Sequence, residues 1–159
     1  LGTAVMAFLG AGVWGFIHTL APVNYYTHGS QITAAHGHLA FYGAYVCVNL
    51  AIISYAMPVL LGRDPYNQVL NMASFWLMTG GMAFMTFVLT FAGTIQTHMQ
   101  RVVGDYYMDV QDSLSIFYLM RFGAGACVVI GAFLFIYSML VVRQREIIES
   151  GDAVGVPGE

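Results

Sequence analysis

Apolar residues form four long runs along the chain, and short polar segments separate them. A run of about 20 apolar residues is long enough to cross the roughly 30 Å hydrocarbon core of a bilayer as a helix. The pattern predicts spans over about residues 1–20, 30–61, 66–100 and 113–142. The expected fold is therefore an all-α integral membrane protein with four transmembrane helices, in which residues 1–149 are part of one helical domain. Residues 150–159 are Gly-rich and polar, which is typical of a disordered tail.

Residues near the ends of the runs indicate where the helices begin. Thr27 or Ser30 can cap the start of the second span, because a hydroxyl oxygen accepts a hydrogen bond from the first backbone N–H groups of a helix. Asp64 and Pro65 suit the N-cap and the first position of the third span. Residues 21–30 are aromatic and polar, which indicates a turn at the membrane–water boundary.

Composition supports the membrane class and excludes a nucleic-acid partner. Of the 159 residues, 58% are hydrophobic and 8% are charged, and none is lysine. With a net charge of −3 and no basic patch, the chain cannot neutralise the phosphates of a nucleic acid, so the lipid bilayer is its expected surrounding. Cys47 and Cys127 lie in apolar runs without metal-ligand spacing, which predicts small buried side chains with no chemistry of their own.

The arginines predict an orientation in the membrane. If the four spans alternate in direction, Arg63, Arg143 and Arg145 lie on one side, while Arg101 shares the other side with several aspartates. Cytoplasmic loops carry an excess of basic residues. The polar connection over residues 101–112 is therefore expected on the outer, periplasmic side, with the C-terminal tail in the cytoplasm.

Two histidines separated by one glycine, His36 and His38, are the main candidates for chemistry. On a helix that turns about 100° per residue, they point about 200° apart, so one metal ion cannot bind both. Ionisable residues within a membrane span indicate function, and neutral imidazole is a common metal ligand. Small neighbours such as Gly37 leave room for a flat cofactor on each side of the helix. The alternative is that both rings hydrogen-bond to neighbouring helices as packing residues.

Two further histidines stand near the same end of the second span. If His28 is helical, it lies about 12 Å before His36 and is rotated from it by about 80°, so that it can reach the rim of the same cofactor. The alternative is a boundary histidine that is bonded to a loop carbonyl. His18 ends the first span, where a role at the membrane interface is expected because the ring can reach water or headgroups.

The third span carries residues that favour packing over chemistry. A methionine stripe at helical spacing is typical of a core, and the paired glycines can permit a kink. The threonines are expected to bond back to the helix backbone rather than to line a water path. These residues are Met78, Met82 and Met85, then Gly80 and Gly81, then Thr86, Thr90, Thr94 and Thr97.

The run from Tyr26 to Phe41, which contains His28 and the His36-Gly37-His38 core, resembles a known family. With its continuation through Ser54-Tyr55-Ala56-Met57-Pro58, it is similar to the tenth helix of the large catalytic subunit of bacterial nitric oxide reductase, of the cytochrome c-dependent type. That family belongs to the haem–copper oxidase superfamily. The similarity continues through Gly104-Asp105-Tyr106-Tyr107-Met108-Asp109-Val110-Gln111 to the end. The chain therefore resembles helices nine to twelve of a twelve-helix bundle, a C-terminal portion of that subunit.

The resemblance implies roles for individual residues. His36 matches the ligand of the high-spin haem iron at the catalytic centre, and His38 matches one axial ligand of the low-spin haem iron. His28 matches a cofactor-binding histidine near the haem propionates, and Arg101 is a further candidate on that side. The implied cofactors are a low-spin haem b, a high-spin haem b and a non-haem iron whose ligands lie outside this chain, with calcium as an additional candidate.

The resemblance also implies an activity and partners. Two molecules of nitric oxide are reduced to nitrous oxide and water, with electrons that pass from the low-spin haem to the high-spin haem and the non-haem iron. The expected partners are the rest of the large subunit and a small cytochrome c subunit, in the bacterial inner membrane, with the haem-bearing end towards the periplasm. The alternatives are a quinol-dependent nitric oxide reductase, a related terminal oxidase, or a non-enzymatic four-helix transporter or assembly protein.

Overall fold

The computed structural model describes residues 1–62 and 67–141, and these residues form helices without any strand. Four of the helices are long and apolar enough to cross a membrane, so the predicted all-α membrane architecture is confirmed. We number six helices in chain order. They are α1 Gly2–Thr19, α2 Ala21–Thr27, α3 Gln31–Leu61, α4 Gln68–Val103, α5 Tyr107–Ser113 and α6 Ser115–Leu140. The residues predicted to form a tail lie outside the described ranges.

The start of α3 is capped as expected, whereas α4 uses a different cap. Between the two alternatives for α3, Ser30 is the cap, and its side-chain oxygen accepts a hydrogen bond from the backbone N–H of Ile32. Asn67 caps α4 and accepts hydrogen bonds from two backbone N–H groups of its first turn. Asp64 and Pro65, which the sequence favoured for this start, lie outside the described residues.

The prediction of a turn over residues 21–30 is wrong for most of that segment. Ala21–Thr27 is a helix, with a proline in its first turn. Proline suits this position because the first N–H groups of a helix need no intrahelical partner. The chain leaves the helix at His28, whose ψ of 129° is extended, and turns at Gly29 with φ of 75°. His28 is therefore not helical, and the 80° relation to His36 does not apply.

The polar connection between the last two spans is shorter than predicted. α4 continues to Val103 in a π-helical turn, and Tyr107–Ser113 forms a helix of its own. Gly104 ends α4 with φ of 92°, a backbone conformation that glycine adopts without strain. The last span begins at Ser115 and ends at Leu140, each two residues inside its predicted limit.

Helix α4 is the centre of the bundle. It packs against α3 on one side and against α6 on the other, while α1 packs on α3. Met78, Met82 and Met85 are buried in the core between these helices, as predicted. The hydroxyls of Thr90 and Thr94 donate to backbone carbonyls four residues earlier, which confirms the expected back-bonding for these two. The buried hydroxyls of Thr86 and Thr97 have no hydrogen-bond partner among the described residues, so the prediction is wrong for them.

Glycines set the closest approaches between helices. A Cβ atom on Gly81 would lie 2.9 Å from the carbonyl oxygen of Ala124 in α6. The helical segment Gln68–His98 runs through the glycine pair, so the function of Gly81 is close packing against α6. Small residues at such crossings are usual where helices pack within a membrane.

We expect Gly93→Ala to loosen the crossing of α3 and α4. A Cβ atom there would lie 2.6 Å from Cγ1 of Ile32 and 2.8 Å from the carbonyl carbon of Gln31, distances that force the helices apart. Overpacking of this kind costs about 1–3 kcal/mol. The matched control is Gly80→Ala in the same helix, where nothing lies within 4 Å and a gain in helix propensity of up to about 1 kcal/mol is expected. Thermal unfolding in detergent compares the two variants, and equal melting temperatures would contradict this account of the crossing.

Candidate functional site

Helix α3 presents His36 and His38 to different neighbours. The Nδ1 atom of His36 lies 2.9 Å from the carbonyl oxygen of Gly10 in α1, and its ring stacks on His18 with centroids 5.0 Å apart and planes 19° apart. His38 instead lines a cavity beside α4 and α6. The two rings therefore have separate surroundings, as the spacing of two residues along a helix requires.

The hydrogen bonds of both rings leave a nitrogen free for a metal. In His38, Nδ1 lies 2.7 Å from the carbonyl oxygen of Ala34, one turn earlier in α3. A carbonyl oxygen only accepts, so Nδ1 must carry the proton in both His36 and His38. In the neutral ring the lone pair is then on Nε2. This arrangement is typical of histidines that bind metals through Nε2 while a backbone carbonyl orients the ring.

The cavity beside His38 is a broad groove, open on one side, with a volume of about 720 Å³. Its wall is mostly apolar and contains three polar side chains, those of His38, Tyr118 and Arg121. Such a combination is usual in cofactor sites, where a few polar groups orient a largely apolar ligand. The remaining lining residues are Met85, Phe122, Gly125, Ala126, Val129 and Ile130.

Small residues keep the helix surface open beside the histidines. A Cβ atom on Gly37 would meet nothing within 4 Å, and one on Gly125 would meet only the end of Met85 at 4.0 Å. A flat ring system can therefore approach the backbone of α3 and α6 closely. The residues present fit a planar cofactor with a metal at its centre, bound by one imidazole nitrogen from this chain.

His18 differs from its expected role at the membrane interface. Its Nδ1 atom lies 2.9 Å from the carbonyl oxygen of Trp14, and this bond within α1 turns the ring towards α3. Its Nε2 atom is buried and has no hydrogen-bond partner within the described part of the chain. The expectation of contact with water or headgroups is therefore wrong, because the stack on His36 depends on packing between two helices that no local pattern encodes.

His28 and Arg101 lie at the end of the bundle where α3 begins. His28 follows the last residue of α2 and is exposed, and its backbone N–H donates to the carbonyl oxygen of Asn24 at 2.9 Å. Arg101 is exposed in the last turn of α4. Neither side chain stacks on or hydrogen-bonds to His36 or His38. Among the described residues, no group of three or more histidine, cysteine or acidic side chains could hold a metal ion.

A polar network that the sequence reasoning missed joins four helices next to the cavity. Gln96 of α4 is only 2% exposed and accepts a hydrogen bond of 2.9 Å from the backbone N–H of Gln31, the first residue of α3. The side chain of Gln31 donates to the hydroxyl of Tyr118 at 3.3 Å, and that hydroxyl donates to Gln111 of α5. Glutamines inside apolar runs were the available signal, since a buried amide needs partners.

Cys47 is buried in the core, as predicted, whereas Cys127 is only half-buried. Both are free thiols.

Comparisons with known proteins agree with this geometry. Residues 1–127, which include both central histidines, match the family described as cytochrome c and quinol oxidase polypeptide I. The chain is 53% identical over 153 residues to a nitric oxide reductase subunit of Stutzerimonas stutzeri. The alignment covers 91% of this chain and 32% of that relative, so the chain spans about a third of the relative's length.

We expect Tyr118→Phe to destabilise the end of the bundle at which α3 begins. The change removes the hydroxyl that joins Gln31 to Gln111 and leaves two half-buried amides without this partner, at a cost of about 0.5–1.5 kcal/mol. The matched control is Tyr137→Phe, because Tyr137 is an exposed tyrosine of the same helix. Thermal unfolding in detergent should show a lower melting temperature for the first variant alone. The same loss in both variants would mean that the network does not stabilise the bundle.

Proposed function

Because this chain belongs to the cytochrome c and quinol oxidase polypeptide I family, we propose that it forms the haem-ligating part of a membrane nitric oxide reductase. The observation that carries the proposal is the pair of histidines on one helix. Each donates its Nδ1 proton to a backbone carbonyl, and the two rings have separate surroundings. This arrangement offers one nitrogen ligand to each of two haem irons on either side of α3. The similarity to the nitric oxide reductase subunit of Stutzerimonas stutzeri supports the choice of substrate.

In this proposal the two histidines have different roles. His36 is the axial ligand of the high-spin haem b, at which the reaction takes place, and His38 is one axial ligand of the low-spin haem b. The assignment of each haem follows the family resemblance. His28 lies on the propionate side of the high-spin haem, which its exposed position next to the start of α3 permits. Calcium is an additional candidate cofactor.

The overall reaction converts two nitric oxide molecules, two electrons and two protons into nitrous oxide and water. The haems and a non-haem iron supply the electron transfer and the bond chemistry. This chain contributes orientation, because the carbonyl bonds fix the plane and the tautomer of each imidazole. The apolar packing of α3 against α1 and α4 also keeps water away from the proposed haem sites.

The remaining ligands come from the rest of the large subunit. In the proposal this chain corresponds to helices nine to twelve of a twelve-helix bundle in the bacterial inner membrane. Large apolar side chains are exposed on its outer faces, among them Tyr55, Trp76 and Phe133, and they suit contact with further helices and lipid. The electron donor is a small cytochrome c subunit, as the resemblance implies. Turnover assays with cytochrome c or with a quinol as the electron donor distinguish this type of reductase from a quinol-dependent one.

We expect His36→Ala and His38→Ala to fail in different ways in the full-length enzyme. The first should remove the high-spin haem and the consumption of nitric oxide. The second should remove the low-spin haem and stop electron entry, because each imidazole addresses a separate cofactor. Reduced-minus-oxidised optical spectra and haem content per protein measure both losses. The matched control is His98→Ala, an exposed histidine at the end of the α-helical part of α4, which should keep both haems.

Loss of the same single haem from both variants would contradict the proposal of two sites. Retention of both haems in both variants would show that neither histidine binds a haem. Absence of haem from the unmodified protein would favour a non-enzymatic membrane protein whose histidines serve packing.

We also expect the connection between α4 and α6 to face the periplasm. Single cysteines at Asp109 and Ser150, in a background with Cys47 and Cys127 replaced by serine, can be labelled with a membrane-impermeant maleimide on intact cells. The excess of basic residues on the tail side predicts labelling at position 109 but not at position 150. Labelling of position 150 alone would reverse the orientation.

A further inference from the structure

Arg121 stands in the same cavity as His38. It is the seventh residue of α6, and His38 is the eighth residue of α3. At about 1.5 Å per residue, the two lie at similar depths of roughly 9–11 Å from the starts of their helices. Both helices begin at the same end of the bundle, where the side chain of Gln31 in α3 donates to Tyr118 in α6. The guanidinium and the imidazole therefore line one space at one level of the membrane.

A charge at this depth requires a physical reason. An arginine inside a membrane span is costly unless it faces the protein interior and meets an opposite charge or a functional group. Arg121 is half-buried, and no carboxylate of residues 1–62 or 67–141 forms an ion pair with it. Because Arg121 lines the same cavity as His38, the proposed haem ligand, its charge can act on a group that is bound in that cavity.

We propose that Arg121 is a positioning residue of the low-spin haem site that raises the reduction potential of that haem. The proposal rests on the haem ligation by His38 proposed above. When haem iron accepts one electron, the charge of the site falls by one, so a fixed positive charge beside it favours the reduced form. In surroundings of low dielectric constant this attraction is only weakly screened. The effect directs electrons onto the low-spin haem before they pass across α3.

The polar network orients the part of α6 that carries Arg121. Tyr118 lies three residues before Arg121, on the same face of α6, and lines the same cavity. Its hydroxyl is joined to Gln31 of α3 and Gln111 of α5, which fixes the rotation of α6 about its axis. The fold thus sets the direction in which Arg121 projects. The low-spin site receives a positive charge from α6, whereas the described neighbours of His36 are the uncharged atoms of α1 and the ring of His18.

The test is the reduction potential of each haem in the full-length complex. In Arg121→Gln, the ratio of reduced to oxidised low-spin haem at a fixed potential should fall about tenfold, which corresponds to about 59 mV for one electron. Arg121→Lys keeps the charge and should restore most of the potential. The high-spin haem of the same sample is the internal control and should shift less. Spectroelectrochemical titration followed in the visible α-bands measures both haems.

The outcomes separate this inference from the proposed function. An unchanged potential in Arg121→Gln, with both haems present, would overturn the role of Arg121 and leave the ligation by His38 intact. Loss of the low-spin haem from Arg121→Gln but not from Arg121→Lys would support the role of the charge. Loss of the low-spin haem from both variants would overturn this role of the charge and indicate that the arginine side chain is needed for packing instead. If His38→Ala retained the low-spin haem, the proposed function itself would fail.

Discussion

The hydrogen bond from His36 to the carbonyl of Gly10 connects the packing of the bundle to its chemistry. It spans two helices, and it requires α1 to approach α3 more closely than any side chain at position 10 would permit. A Cβ atom on Gly10 would lie 2.6 Å from the backbone nitrogen of Ala40. The same carbonyl also accepts from the N–H of Gly15, the residue that follows the π-helical segment Phe8–Trp14. π-helical turns often occur at functional sites because they move a carbonyl out of the regular ladder.

The two histidines are oriented by different means, which makes their sites independent. His38 is bonded to Ala34 within its own helix, so its ring direction survives any movement of α3 as a rigid body. His36 is bonded across to α1, so its ring follows the packing of α1 on α3. A shift between these helices would therefore disturb the proposed catalytic haem and spare the proposed electron-transfer haem. The stack with His18 adds to the constraint on His36 alone.

Much of the fold could be predicted from local sequence, whereas the connections between helices could not. The four spans, the cap by Ser30 and the opposed histidines follow from hydrophobicity and from the turn of a single helix. The helical form of Ala21–Thr27 was missed because proline interrupts most helices but suits their first turn. The stack of His18 and the buried contact of Gln96 with Gln31 join residues far apart in the chain. The periodicity of a single helix does not predict such contacts. The only signal for them in the sequence is a polar residue inside an apolar run.

The proposed position of α3 between two haems also limits what this chain can do by itself. Each histidine supplies a single nitrogen, and a low-spin haem needs a second axial ligand on its other face. The exposed aromatic side chains of α4 and α6 face outward, where the remaining two thirds of the related subunit would lie. In the proposed function the bundle is therefore one wall of a larger site: α3 would set the spacing of the two proposed haem irons, and the polar network at its start joins the helices around them.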